Sequence, residues 1–346
     1  MTLSFKKSPV LVRRLIFVLL LSSLIVLLTQ TTFHPPPTPR PTPPLTPNDP
    51  INNWVVILGG ARYYFNYRHT LNALGVYNLV RSHGIDDDHI LFFFSDGTPC
   101  DPRNPHAGAL KVQFEDYPNI LNWYDPCTRV DFFATNVDVP AFLHTLQGRY
   151  DATTAETRRL RTDAHSNLLI YLTGHSAKGY FKFQDAKYLS GTDLSEALSM
   201  MHTQGRYRKV LLLVDTCKAL ELCRTITAPN VVCLASSDAD KDSFSGHYDR
   251  RLGIAAVSRW TYELFKVLEG GSCAEPARGA AGGLYQSIYD FAYHPLRQKL
   301  KGGAPSEPAH KDAVNDKGAI HRWTMAEFLC PHKPLPVPIE VRYDLF

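Results

Sequence analysis

Between residues 52 and 268, short apolar runs alternate with longer stretches of mixed polarity. Five segments each contain five consecutive apolar residues: Trp54–Gly60 (WVVILGG), His89–Ser95 (HILFFFS), Ser166–His175 (SNLLIYLTGH), Lys209–Ala219 (KVLLLVDTCKA) and Asn230–Ser236 (NVVCLAS). Runs of that length with no polar alternation predict strands buried on both faces. Between and after them, helical spacing is found at Thr70–Ser82, with Gly84 placed to stop it, and at Pro140–Gly148, Asp193–His202, Ser258–Leu268 and Gln286–Leu300. Pro99–Val137 has no period and holds two cysteines and several prolines, so it reads as a long loop or insertion, and Gly270–Gly283 reads as a surface loop. Strands alternating with helices predict an α/β fold with a mostly parallel central sheet and helices on both faces.

The chain ahead of this pattern is different. Lys6, Lys7, Arg13 and Arg14 precede an apolar run from Leu15 to Leu28, relieved only by Ser22 and Ser23. Fourteen residues is short for a bilayer span and suits a signal-peptide core, so residues 1–32 read as a signal peptide or signal anchor. Nine of the seventeen residues of His34–Pro50 are proline, which makes residues 33–51 a stiff linker that cannot form a core. Residues 52–346 are then the folded domain, delivered to the lumenal side of the secretory route. No later apolar run is long enough to span a membrane.

The formal charge of +4 is matched by the four basic residues before the apolar leader, so the body is near neutral. Without a basic stripe interleaved with aromatics, a nucleic-acid partner is not expected. Seven cysteines (100, 127, 217, 223, 233, 273 and 330) form no CxxC pair, which argues against a structural zinc site or a thioredoxin-type dithiol.

Two strand ends carry the candidate chemistry. Cys217 follows the apolar run of Lys209–Ala219, where open α/β sheets place their ligands. Its bland reading is a small buried hydrophobe, and Cys233, in mid-strand, reads as pure core. What lifts Cys217 is its place in a strand-to-helix turn, where helix amides would lower its pKa and supply oxyanion donors. His175, of fourteen histidines, alone ends a long buried strand, and Gly174 before it implies a close backbone approach. A cysteine nucleophile needs such a base. The histidine precedes the cysteine by 42 residues, the caspase-type order and not the papain-type one.

Further stretches extend this reading. NNWVVIL at 52–58, RYYFNYRH at 62–69, CDPRNP at 100–105, SNLLIYLTGH at 166–175, GYFKFQD at 179–185, VDTCKA at 214–219 and LASS at 234–237 occur in one order. In these the chain closely resembles the catalytic subunits of GPI transamidases, relatives of the legumain asparaginyl endopeptidases among the caspase-like cysteine peptidases. HRWTMAEFL at 321–329 resembles their carboxyl-terminal part more weakly. The resemblance implies a caspase-like three-layer sandwich. It implies Cys217 as nucleophile, His175 as general base and acid, and Asn66 as the residue orienting the histidine. The backbone N–H groups of Cys217 and Ser176 would form an oxyanion hole, and Ser236 and Ser237 would edge the pocket for the scissile residue. Cys100 matches a cysteine that bonds a partner subunit, with an intrachain bridge to Cys127 as the alternative. Asp87 and Asp131 match acidic ligands of a structural calcium site, although a third ligand position carries Arg129; the chemistry itself needs no cofactor. The sequence departs from the family at Ser176-Ala177, where glycine usually follows the histidine, and at Lys218, where glutamine follows the cysteine.

The implied activity is acyl transfer in the endoplasmic reticulum lumen. A proprotein's carboxyl-terminal signal would be cleaved through a Cys217 thioester, and the new carboxyl terminus passed to the ethanolamine amine of a GPI lipid, within a membrane complex of partner subunits. A legumain-like hydrolase and a non-catalytic scaffold subunit are the alternatives; FNYRH and CDPRNP favour the transferase.

Overall fold

The computed structural model describes residues 52–112, 121–124, 128–274, 282–300 and 306–331. The leader (1–32), the proline-rich linker (33–51) and Cys127 lie outside the described residues. Among the described residues no helix is long and apolar enough to cross a membrane.

The five apolar runs form five neighbouring strands. These are β1 (Asn52–Gly59), β2 (Ile90–Phe94), β4 (Ser166–Thr173), β8 (Lys209–Asp215) and β9 (Val231–Ala235). Two short edge strands, β3 (Phe132–Phe133) and β12 (Ala309–Lys311), complete a seven-stranded sheet of order β12-β9-β8-β4-β1-β2-β3. Every pairing is parallel except β12 against β9. Side chains along a strand alternate between faces, and each face has its own core. Val55, Ile57, Leu169, Tyr171, Leu211 and Leu213 meet helices α1 (Tyr67–Ser82) and α5 (Arg259–Glu269) on one side. Val56, Leu58, Ile170, Leu172, Leu212 and Val214 meet α2 (Val139–Gln147), α3 (Gly191–Thr203) and α4 (Ala219–Arg224) on the other. This is the three-layer α/β/α sandwich that the apolar pattern predicts.

Local chemistry sets the helix ends. Asp138 caps α2 by accepting from the Ala141 N–H at 2.8 Å, Gly148 ends it in the left-handed region at φ 67°, and Ser190 caps α3 by accepting from the Asp193 N–H at 3.0 Å. The helix expected over Gln286–Leu300 is broken: Pro295 lacks an N–H, and the winding widens to a π segment, Tyr289–Tyr293, before α6 (His294–Lys299). Pro99–Val137 is more ordered than its composition implies, because it contains the edge strand β3 and a short antiparallel ribbon, Lys111–Val112 with Leu121–Asn122.

Two small antiparallel units were not legible in the sequence. One is a three-stranded meander, β5 (Ser176–Ala177), β6 (Tyr180–Phe183) and β7 (Lys187–Ser190), directly after His175. The other is a hairpin, β10 (Ser245–Asp249) with β11 (Ile254–Ser258). Cys233 is not simply core: it is disulfide-bonded to Cys223 at a Cα separation of 5.9 Å, which ties α4 to β9. A second disulfide, Cys273–Cys330, ties the segment after α5 to the carboxyl-terminal part of the fold.

Candidate active site

The central register brings the two candidate residues to one rim. Thr173, the last residue of β4, pairs with Asp215, the last residue of β8, so His175 and Cys217 each lie two residues past a matched pair. The ends are also hydrogen-bonded to each other: Gly174 N–H donates to Asp215 O at 3.4 Å and Thr216 Oγ1 donates to Gly174 O at 2.9 Å. Ser176 adds a third link, its hydroxyl donating to the Cys217 carbonyl. Gly174 is needed for space, because a Cβ there would lie 2.9 Å from the Phe181 ring. That is the close approach its sequence context implied.

The imidazole is oriented from one side. His175 Nε2 lies 2.7 Å from Asn66 Oδ1, and the Asn66 amide donates to Arg62 O at 2.6 Å and to Asp185 Oδ2 at 3.4 Å. With its NH₂ engaged this way, Asn66 presents its oxygen, so the imidazole carries its proton on Nε2 and keeps Nδ1 as the basic nitrogen. The buried ring of His69 packs edge-on against His175 at 5.0 Å between centroids, and its Nδ1 lies 3.0 Å from Thr173 Oγ1. Burial pushes the His175 pKa down, helped by the Arg68 guanidinium and opposed by Asp185.

The thiol is held in a tight turn. Cys217 Sγ donates to Ser243 O at 3.7 Å, and no hydrogen bond joins it to the imidazole in this conformation. Lys218 adopts the left-handed region at φ 51°, which costs a non-glycine residue about 1 kcal/mol and marks a constrained turn. Burial raises the Cys217 pKa, with Asp242 adding to the rise. This reverses the expectation that helix amides would lower it: α4 is only six residues long, and Lys218 pairs with Asp242 at 3.2 Å, so neither supplies a net positive field. The two shifts, the thiol's upward and the imidazole's downward, both favour the uncharged pair over an ion pair.

The turn's polar groups are matched from behind. Ser236 Oγ accepts from Thr216 N–H and donates to Thr216 O, both at 3.1 Å. Ser237 Oγ accepts from Ala219 N–H at 3.1 Å and donates to Thr216 O at 2.9 Å. Both serines are sealed from solvent, so their hydroxyls brace the turn that carries Cys217. The Cys217 N–H has no acceptor among the described residues. The Ser176 N–H points away from β6, because Lys182 N–H donates to His175 O and antiparallel pairing alternates sides.

Sequence reasoning missed the polar core under the site. Asp215 is fully buried and accepts from Thr261 Oγ1 (2.6 Å), Asn72 Nδ2 (3.1 Å) and Ser243 Oγ (3.1 Å). Asn72 also donates to Thr173 Oγ1 at 3.1 Å and Ser258 Oγ at 2.7 Å. One network thus fixes the ends of β4 and β8 and the carbonyl that holds the thiol. The Asp at the close of an apolar run was its one visible sign.

The remaining expected residues lie elsewhere. Cys100 is exposed in a 3-10 turn and has no disulfide partner among the described residues. Asp87 accepts from Tyr77 OH at 2.6 Å and pairs with Arg81 at 3.2 Å. Asp131, pushed up to about 6 by burial, accepts from Phe92 N–H at 2.9 Å and pairs with Arg129 at 3.3 Å. Arg129 also reaches Asp88 at 2.8 Å and Thr157 O at 2.9 Å. A guanidinium already satisfies these carboxylates, and among the described residues no three His, Cys, Asp or Glu side chains converge as metal ligands. This donor set does not fit a calcium ion, which wants six or more oxygens.

Residues 53–264 match the Peptidase C13 family. The chain belongs to that family. Within it, Cys217, His175 and the strands that carry them all fall inside the matched range. The chain is similar to proteins named GPI-anchor transamidase from Schizosaccharomyces pombe (38% identity), Homo sapiens (37%) and Saccharomyces cerevisiae (34%), each over 218 residues and 63% of this chain. It spans 57%, 54% and 52% of their respective lengths, a little over half of each. Among solved structures, caspase-1 from Spodoptera frugiperda superposes with a TM-score of 0.44 at 10% identity, covering 79% of this chain and 95% of that one.

Proposed function

We propose that this C13 chain is the catalytic subunit of a GPI-anchor transamidase, working by acyl transfer through Cys217. The observation that carries the proposal is the matched register of Thr173 and Asp215, which brings an oriented imidazole and a thiol to one rim. Nδ1 of His175 takes the Sγ proton as the sulfur attacks the scissile carbonyl. The oxyanion settles on the Cys217 and Ser176 N–H groups. The C–N bond breaks, and His175 returns the proton to the departing amine of the tail peptide. The ethanolamine amine of a GPI lipid then attacks the thioester, the C–S bond breaks, and the amine's proton passes through His175 back to the thiolate. Two disulfides support an oxidising compartment, hence the endoplasmic reticulum lumen. The exposed Cys100 is available for a bond to a partner subunit.

Complementation tests this. In cells lacking the native chain, Cys217→Ala should abolish GPI anchoring of a reporter and accumulate its proprotein. Retained anchoring makes the chain a scaffold. Hydroxylamine offered with a tail-bearing substrate should give hydroxamate; release of free acid alone would favour the legumain-like hydrolase.

A further inference from the structure

The turn that folds β6 back onto β7 carries side chains where glycine is the usual choice. Ala186 N–H donates to Phe183 O at 3.0 Å, and the two residues between them, Gln184 and Asp185, both lie in the left-handed region at φ 53° and 58°. That is the backbone of a type I′ turn, which favours Asn-Gly or Gly-Gly. Strain of this kind persists where the surroundings overdetermine the conformation, and it gathers at functional sites. Gln184 does the fixing here. Its N–H donates to Gly60 O at 2.6 Å, and its Nε2 donates to Ala134 O at 2.6 Å and to Val137 O at 2.7 Å. The fixed turn carries Asp185 to the side of Asn66 away from His175. Asp185 Oδ2 accepts from Asn66 Nδ2 at 3.4 Å, and this carboxylate has no ion-pair partner among the described residues.

We infer that Asp185 is a positioning residue for the reaction, the outer member of a line that runs from His175 through Asn66. The inference rests on the acyl-transfer reading for its effect on rate, but not for its effect on the imidazole. An amide side chain can offer either end to Nε2, and something must choose. An ionised carboxylate only accepts. Asp185 therefore holds the Asn66 NH₂ on its own side, together with Arg62 O at 2.6 Å, and leaves Oδ1 facing His175 at 2.7 Å. That choice keeps the proton on Nε2 and the lone pair on Nδ1. The same negative charge stabilises the imidazolium that exists while the proton is in transit from sulfur to leaving amine. The charged and titratable groups around the ring are Arg68 and His69 from α1, Lys182 from β6, Cys217 from the neighbouring strand end, and Asp185. Burial and Arg68 push the imidazole pKa down, Lys182 adds to this, and Asp185 opposes it. Asp215, under the same rim, is spent on Thr261, Asn72 and Ser243.

Two variants separate orientation from charge. Glycine suits the left-handed backbone, so Asp185→Gly should keep or raise the wild-type urea midpoint while removing the carboxylate. Asp185→Asn keeps a neutral acceptor in the same place. Nitrogen-15 NMR of histidine-labelled full chain reads the tautomer and pKa of His175 without turnover. The wild-type ring should be the Nε2–H tautomer, and Asp185→Gly should show a mixture of tautomers. In both variants the imidazole pKa should fall by about 0.5–1 pH unit, as expected for the loss of one partly screened charge beyond an intervening amide. Single-turnover release of the tail peptide at neutral pH should slow by about tenfold or more in Asp185→Gly and by about threefold at most in Asp185→Asn. In both, the acidic limb of the rate profile should move to lower pH, because losing a nearby negative charge disfavours the protonated ring. A wild-type tautomer and rate in Asp185→Gly would make Asp185 a turn residue only and overturn the inference, as would an unshifted pKa in both variants. No tail release from wild type would instead overturn acyl transfer, and the tautomer and pKa would then judge Asp185 by themselves.

Discussion

Replacing Asn66 with aspartate changes one atom type beside the His175 imidazole and has a computable effect. His175 Nε2 lies 2.7 Å from Asn66 Oδ1, and burial holds the imidazole pKa below its ordinary value. A carboxylate in that place stabilises the protonated ring. Two charges about 4 Å apart at an effective dielectric of about 20 interact by roughly 4 kcal/mol, an upper limit of about 3 pH units. The site is partly open to solvent, and screening cuts this to about 1–2 units. The sign is unambiguous: a raised imidazole pKa removes the neutral base as pH falls, so the acidic limb of the rate profile moves to higher pH. Asn66→Ala removes the acceptor without adding charge. It should lower kcat/KM by about 10- to 100-fold, because the ring loses its orientation and tautomer, while its acidic limb stays put. Single-turnover release of the tail peptide from about pH 5 to about pH 9 measures both. An Asn66→Asp enzyme whose acidic limb coincides with that of wild type would refute the claim that this contact sets the base.

Three shorter predictions follow from other parts of the structure. Because burial raises the Cys217 pKa, iodoacetamide alkylation should rise steeply only above the ordinary thiol value of about 8.5; a plateau extending to acidic pH would mean an ion pair instead. Since Arg129 already satisfies Asp88 and Asp131, EDTA should leave the wild-type urea midpoint unchanged, whereas Arg129→Ala should cost about 2–3 kcal/mol by stranding the buried Asp131 carboxyl. Removing the Cys223–Cys233 bridge with paired alanines should lower stability by about 3 kcal/mol, as expected for a loop closed over a separation of ten residues, read from the same urea curves.

How far the sequence could be read depended on how local each signal was. The five buried strands announced themselves because parallel strands covered on both faces leave no polar alternation, and their ends located His175 and Cys217. The meander after His175 was hidden: Ser176–Ala177, Tyr180–Phe183 and Lys187–Ser190 are two to four residues each, too short for a period to register. Cys233 looked like a lone core residue because its pairing with Cys223 is a matter of approach across α4 and β9, which spacing does not encode. The direction of the thiol's pKa shift was misjudged for a related reason. Helix-amide stabilisation needs a helix of useful length, and the six residues of α4 with a left-handed Lys218 are visible only in space. The Asp215–Asn72 network joins residues 143 apart in the chain, so no local pattern could have shown it.

The matched register of β4 and β8 has a consequence for how this rim can change. The spacing between the His175 imidazole and the Cys217 sulfur is dictated by backbone ladders running between two closed apolar layers, while the loops around them lie outside those layers. Substitutions in those loops therefore leave both layers in place. A slip of one residue between the two strands would send every side chain of one strand to the wrong layer, so folding itself guards the chemistry.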